Sequence, residues 1–463
     1  MASPHILLFP FMSKGHTIPV LHLARLLLHR GAAVTLFTTP ANRPFISAAL
    51  SDTTVSIIDL PFPQNIDGIP PHVESTDNLP EMSKWPRLAI AAKLMKPYFE
   101  QTINSLPRIS FMITDGFFGW TLESAQKFGI PRLVYYGMSY FSMSLSTVAS
   151  QSQQLLIDLE LDNNKLFMFP SFPWIKFSIK DFNPAVADPE CQDKLQSEFI
   201  LEHVEATKKS YGIIVNGFYE LESVYADYWN REIGPKAWCV GPLCLAEAPQ
   251  KKQENYQTPS WIQWLDRKQE EGKPVLYVAF GSQADISREQ IKQIKTGLEK
   301  SGVNFFWVAG KNQVEDDDGF EYRVKGRGML VKEWVDQREI LEHSSVQGFL
   351  SHCGWNSVME SICAKVPILA WPMMAEQPLN AKMVVEEMGI GLRVETSDGS
   401  INGFVNWEKL EKVVKELMEG EMGKELREKV KQIGGAAAEA MAEGGSSWNA
   451  LNELINELHA ERE

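Results

Sequence analysis

The chain is poor in cysteine, and its five (Cys191, Cys239, Cys244, Cys353, Cys363) are odd in number and lack a metal-type repeat. Cys239 and Cys244 flank a Gly-Pro, but no second pair completes a zinc site, so reduced thiols in the cytosol are expected. Basic charge is also short: 45 Lys and Arg against 59 Asp and Glu give a net charge of −14. That balance argues against nucleic acid and anionic membrane surfaces, which need clustered cations. No charge-free apolar run is long enough to span a bilayer. The apolar start, MASPHILLFPFM, has neither a basic leader nor a small-residue cleavage pattern, so a cytoplasmic location is expected. Neither G-x-x-x-x-G-K-[ST] nor G-x-G-x-x-G follows the first strand of either half, which weakens the ATPase and NAD readings. Asp316-Asp317-Asp318 lies in the polar stretch KNQVEDDDGFE with no strand before it, and such a charge run reads as solvated rather than metal-binding.

What is present is a globular chain, 44% hydrophobic and 22% charged, and its 463 residues exceed one ordinary core. The first half alternates apolar strands (His5 to Phe11, AVTLFTT, VSIIDLPF, ISFMITD, PRLVYYGM) with helical patterns. Such alternation predicts an α/β fold with a parallel, doubly wound sheet. Pro19 is expected to open the first helix, running to Gly31. From Leu161 to Pro189 the chain is rich in Phe, Pro and Trp without clean periodicity and reads as an irregular wall over a pocket. The polar stretch after Leu245 reads as a linker, and KPVLYVAFGS restarts the alternation. Ser287 with Gln290 forms a capping-box pattern ahead of Ile291. The expected organisation is domain 1–245, linker 246–256, domain 257–445 and a last helix over 446–463. The halves read as two similar α/β units with a cleft between them.

One ribbon, Trp334 to Gln377, gathers the groups of a nucleotide-sugar site. Val346–Ser351 is a short apolar strand; it runs into His352-Cys353-Gly354-Trp355-Asn356-Ser357, where a Gly precedes two good helix starters. A strand, a Gly-containing turn and a helix N-terminus make an anion site, because the helix dipole is positive there. His352 ends the strand, where open α/β sheets bind ligands. Asn356 and Glu360 share a helix face, so a phosphate at the N-terminus leaves Glu360 to accept from a ribose. Trp334 offers a flat face to a base.

These residues resemble the donor-binding signature of plant family 1 UDP-dependent glycosyltransferases over its full 44-residue length, from Trp334 to Gln377. The resemblance implies two Rossmann-like domains facing across a cleft, the GT-B arrangement, with the last helix bracing the first domain. It implies that Trp334 stacks on uracil with Val335 and Gln337 around it, and that Glu360 holds ribose hydroxyls. His352, Gly354, Asn356 and Ser357 would hold the diphosphate, with Ser282 after the strand VLYVAF as a second contact. Trp355, Glu376 and Gln377 would bind sugar hydroxyls; Glu376 stands where the family usually has Asp.

His16 follows the first strand, and Asp115 ends another; both lie at the carboxyl edge of a sheet. Alone, such a histidine reads as a helix-starting group. Paired, an imidazole can take a proton from a hydroxyl while the carboxylate steadies the resulting imidazolium. Gly15-His16-x-x-Pro19 and Asp115 match the family's general base and its partner. Most aromatics of the first half are core residues, but Phe117, Phe118, Trp120, Met138 and Phe141 are candidates for an apolar acceptor pocket. The expected reaction is inverting, metal-independent transfer of a sugar, with glucose as the expected one, to a small acceptor. No cofactor or metal is expected, and a monomer is. The rival is a non-catalytic nucleotide-sugar binding protein, whose mark would be loss of the His–Asp pair.

Overall fold

The structure, a computed structural model, describes residues 3–152, 165–182, 194–246, 258–310 and 319–460. The predicted linker, apart from Ala246, falls outside the described residues, as do Asp316-Asp317-Asp318 and Cys191. The strands in chain order are β1 (His5–Phe9), β2 (Ala33–Thr38), β3 (Ser56–Asp59), β4 (Phe111–Asp115), β5 (Arg132–Tyr135), β6 (Phe167–Phe169), β7 (Phe172–Phe177), β8 (Gly212–Val215) and β9 (Ala237–Cys239). After them come β10 (Val275–Ala279), β11 (Asn304–Val308), β12 (Gly328–Val331), β13 (Val346–Ser351), β14 (Ile368–Ala370) and β15 (Gly391–Arg393).

The chain packs as two units. The first comprises Met1–Tyr140, Pro189–Ala248 and Glu439–Glu463. Its sheet is parallel, in the order β3-β2-β1-β4-β5-β8-β9. Strands β4, β5 and β8 are buried along their whole length, as parallel strands covered on both faces must be. One face packs Leu23 and Leu27 of the helix Lys14–His29 with Leu451, Leu454 and Leu458 of the helix Ser446–Ala460. That i, i+3, i+7 stripe is the reason the last helix docks here. The other face is aromatic, with Phe9, Phe37, Phe99 and Phe118 in one cluster.

The second unit comprises Phe141–Asp188 and Pro249–Ala438. Its parallel sheet runs β12-β11-β10-β13-β14-β15. Ser287 accepts a hydrogen bond from the Gln290 N–H, which is half of the expected capping box. The Gln290 amide turns instead to the backbone of Val405, bonding both its N–H and its C=O.

Three expectations need correction. Residues 141–188 belong with the second unit, not the first, and the first unit resumes at Glu439 rather than at 446. Within that segment the expected irregular wall contains the antiparallel hairpin β6–β7, pairing Phe167 with Phe177 and Phe169 with Phe172. Phe167, Phe169, Phe172, Ile175 and Phe177 are buried while Met168, Pro173 and Trp174 are exposed, so the alternation is interrupted at Pro173-Trp174 and leaves no clean periodicity. Finally, the first helix begins at Lys14, and Pro19 lies inside it. Pro19 forfeits one bond to the Gly15 carbonyl, a cost of about 3 kcal/mol. Burial of Val20, Leu21, Leu23 and Leu27, at roughly 1.5–3 kcal/mol each, outweighs it.

Candidate functional site

Each sheet reverses its strand order once, and ligands of open α/β sheets bind outside the carboxyl ends of the strands at such points. In the first sheet the reversal falls between β1 and β4, which pair Phe9 with Thr114. His16 sits in the first turn of the helix that follows β1, rather than before that helix as expected, and Asp115 is the last residue of β4. The structure brings the two together: His16 Nδ1 lies 2.7 Å from Asp115 Oδ2. The carboxylate side chain is fully buried and the imidazole 21% exposed. Asp115 Oδ1 accepts from the Phe117 N–H at 3.0 Å, which fixes the carboxylate plane. A carboxylate on Nδ1 makes that nitrogen the N–H tautomer and leaves Nε2 as the basic atom. The pair can accept a proton from a hydroxyl and hold the charge that results.

The imidazole is framed by rings. Phe117 lies 5.4 Å from it, Phe11 5.7 Å, and Trp85 stands 5.3 Å from Phe117. Of the expected acceptor-pocket residues, Phe117 and Met138 are partly exposed. Phe118, Trp120 and Phe141 are not: all are buried in the packed interior, with Phe118 stacked on Phe9 at 4.4 Å. Both rings pack on the same aromatic cluster, but Phe118 is fully buried in it while Phe117 lies at its edge and stays partly exposed. Trp85, the first residue of the helix Trp85–Ala91, belongs to no motif and enters the site only through the fold.

In the second sheet the reversal falls between β10 and β13. Gly281-Ser282 follow β10, and His352 to Gly354 follow β13, whose Ser351 pairs with Ala279. Ser282 is exposed at this edge. Gly281 has φ +78°, and a methyl group on it would lie 2.8 Å from His352 Nε2; on Gly354 it would lie 2.6 Å away. Both glycines are therefore required for the imidazole to occupy this place. His352 Nδ1 is sealed from water without a hydrogen-bond partner, and burial lowers the His352 pKa to about 4. The ring is neutral at ordinary pH. Cys353 adopts φ +62°, a left-handed conformation costly for a residue with a Cβ. Its N–H donates to Ser351 Oγ and its carbonyl accepts from Asn380 Nδ2, which hold the turn.

The helix Trp355–Cys363 starts one residue earlier than expected, with Gly354 as its cap. Ser357 Oγ and Glu360 Oε2 both accept from Gln337 Nε2, at 2.9 and 2.6 Å, and Gln337 Oε1 accepts from the Tyr277 hydroxyl at 3.2 Å. Desolvation raises the Glu360 pKa to about 7, with the Gln337 hydrogen bond opposing the rise. Tyr277 was missed because only the fold brings β10 beside Gln337. Trp334 is 55% exposed. Val335 departs from expectation: its side chain is in the core beside Ile340 and Phe349, so only its peptide groups are left for a base. Trp355 is likewise buried, at 1% exposure, rather than projecting toward a sugar. Asn356 and Glu376 are partly exposed. Glu376 Oε1 accepts from Asn380 Nδ2. Gln377 Oε1 accepts from the N–H groups of Met373 and Met374, so its Nε2 is the end available to a ligand. Among the described residues no group of three or more His, Cys, Asp or Glu is placed to hold a metal ion, and no helix is long and apolar enough to cross a membrane.

The family described as UDP-glucoronosyl and UDP-glucosyl transferase matches residues 239–432. The chain is 52% identical to UDP-glycosyltransferase 90A1 of Arabidopsis thaliana over 468 residues, covering 99% of this chain and 97% of that one. Among solved structures it resembles UGT73P12 of Glycyrrhiza uralensis, complexed with glycyrrhetinic acid 3-O-monoglucuronide, with a TM-score of 0.85, 32% identity and coverage of 99% and 96%. It also resembles UGT2 of Phytolacca americana, complexed with UDP-2fluoro-glucose and pterostilbene, with a TM-score of 0.82, 28% identity and coverage of 99% and 100%.

Proposed function

The chain belongs to the plant family 1 UDP-dependent glycosyltransferases, GT-B enzymes that transfer a sugar from a UDP-sugar to a small-molecule acceptor, and on that premise we propose that it makes β-glucosides of phenolic acceptors by a single inverting displacement. His16 Nε2 takes the proton of the acceptor hydroxyl, and Asp115 balances the imidazolium. The freed oxygen attacks the anomeric carbon of the sugar opposite its bond to UDP, that bond breaks, and the pyrophosphate takes the electron pair. Configuration changes from α to β.

In this reading Trp334 stacks on uracil, the peptide groups of Val335 read its edge, and Glu360 accepts from the ribose. The positive end of the helix Trp355–Cys363, with Asn356, Ser357, Ser282 and neutral His352 as donors, meets the diphosphate charge without a metal. Glu376 and the Nε2 end of Gln377 hold the sugar, with Trp355 contributing through its backbone. Phe11, Trp85 and Phe117 form the apolar face for the acceptor. Support for glucose and a phenol comes from the Phytolacca neighbour, which holds UDP-2fluoro-glucose with pterostilbene. The enzyme acts as a cytoplasmic monomer and uses no cofactor.

The His16–Asp115 couple, partly open on one side and buried on the other, is the observation that carries this reading. The test is incubation with several UDP-sugars and a mixed phenolic panel, with products read by mass and by the anomeric proton coupling. A hexose increment from UDP-glucose with β-coupling is expected; α-coupled product, or transfer only from another sugar, contradicts it.

A further inference from the structure

Beneath the Asp115 turn lies a cation that the mechanism above does not use. Arg132, the first residue of β5, is 2% exposed. Its Nε donates to Thr114 Oγ1 and Thr121 Oγ1, both at 2.8 Å, and Nη1 donates to Ser210 Oγ at 2.7 Å. Its Nη2 donates to the carbonyls of Asp115 and Phe118, both at 3.3 Å. None of these five acceptors is a carboxylate. A buried charge is costly unless something opposite answers it: burial lowers the Arg132 pKa to about 10, while the fields of Tyr136 and then Asp115 favour the charged guanidinium. Of these two only the Asp115 side chain is a carboxylate. Tyr136 bonds Thr207 and burial raises its pKa, while His203, whose ring nitrogens meet the carbonyls of Phe117 and Phe199, has its pKa lowered by burial.

The same guanidinium therefore grips both ends of the Asp115–Phe118 turn. That turn carries the carboxylate, the Phe117 N–H bonded to it, and the ring over His16. It is also close-packed: a methyl on Gly116 would overlap the Tyr136 ring and one on Gly119 would press on Ala206 at 3.2 Å. Removing the guanidinium takes a donor from two buried carbonyls of this turn, a loss met by a shift of the turn that carries the carboxylate.

We infer that Arg132 is a positioning residue for the His16–Asp115 couple: it clamps the turn that aims the carboxylate and supplies the buried positive charge that the carboxylate answers. This rests on His16 acting as the base. Two variants test it, Arg132→Met, which removes charge and clamp, and Arg132→Lys, which keeps the charge but cannot span both carbonyls. Each is assayed for kcat, for KM toward UDP-glucose and a phenol, for thermal unfolding, and for the downfield proton resonance of a His Nδ1–H held by a carboxylate. Arg132→Met is expected to lower kcat about 100-fold, the scale of losing an aligned general base, with KM for UDP-glucose within about twofold and the downfield resonance lost. Arg132→Lys is expected to recover about tenfold of that loss and part of the resonance. If Arg132→Met fails to fold, Arg132→Lys decides alone: reduced kcat with unchanged KM supports the inference. A folded variant with wild-type kcat and an unshifted resonance overturns it, leaving Arg132 a strut. His16→Ala separates the premise. Turnover surviving in His16→Ala sinks the base reading whatever Arg132 does, whereas an inactive His16→Ala beside fully active Arg132 variants sinks only the inference about Arg132.

Discussion

At the β1/β4 reversal an imidazole is held 2.7 Å from a buried carboxylate, whereas at the β10/β13 reversal the imidazole of His352 has no partner at Nδ1 and its pKa falls to about 4. The same residue type at the same topological place has two different chemistries. A carboxylate on one nitrogen prepares His16 to gain a proton and carry charge. Two glycines and the burial of its Nδ1 prepare His352 to stay neutral and act as a hydrogen-bonding group. In the proposed reading the anion at the second point is met by a helix terminus, which needs no protonation to be positive.

The largest effect should come from inverting the first point's polarity. Asp115→Asn presents an N–H or a weaker acceptor to His16 Nδ1 and so frees the ring to take the wrong tautomer; kcat should fall about 10³-fold or more, in steady-state kinetics, with UDP affinity unchanged by calorimetry. Next is the seat of His352. Gly281→Ala places a methyl 2.8 Å from Nε2 at a left-handed φ, so UDP-glucose affinity should fall at least about 10-fold while the downfield His16 resonance is retained. Loss of that resonance would mean that the two points are not independent.

Glu360 gives a pH test of smaller size. Its folded pKa of about 7 stands above the ordinary 4.5, so between those values the folded state holds a proton that the unfolded chain has released. Stability from this group is fully present below pH 4.5 and lost as pH rises through 7. Glu360→Gln should therefore be more stable than wild type at pH 8, by roughly 1–3 kcal/mol, and the difference in unfolding temperature should close at pH 5. The same variant should bind UDP more weakly at pH 8, since the ribose loses its carboxylate. The smallest expected effect is none: dialysis against EDTA should leave the transfer rate unchanged, and a strict metal requirement would remove the helix-terminus account of the diphosphate.

Much of this division was legible in sequence because it is local. A strand running into Gly, then Asn and Ser, writes the helix terminus within a few residues, and His16 and Asp115 each follow or end an apolar run. What joins the pieces was not legible. Tyr277 reaches Gln337, and Arg132 reaches Ser210, only because parallel strands bring distant segments side by side. Direction of side chains was the other blind spot. Val335, Trp355, Phe118, Trp120 and Phe141 were expected to face ligands, and packing turned each into the interior. An aromatic next to a site carries no sign of which way its Cα–Cβ bond points until the turn geometry is known. The hairpin β6–β7 was hidden for a related reason, because its alternation is carried by phenylalanines broken by two prolines.

The most direct measurement is the single-turnover rate of His16→Ala at saturating UDP-glucose and phenol, taken with the UDP dissociation constant on the same preparation. The account predicts a rate at least about 100-fold below wild type and a dissociation constant within about twofold of it. A near-normal rate would place the base elsewhere, and a weakened UDP affinity would show that the first reversal point also serves the donor.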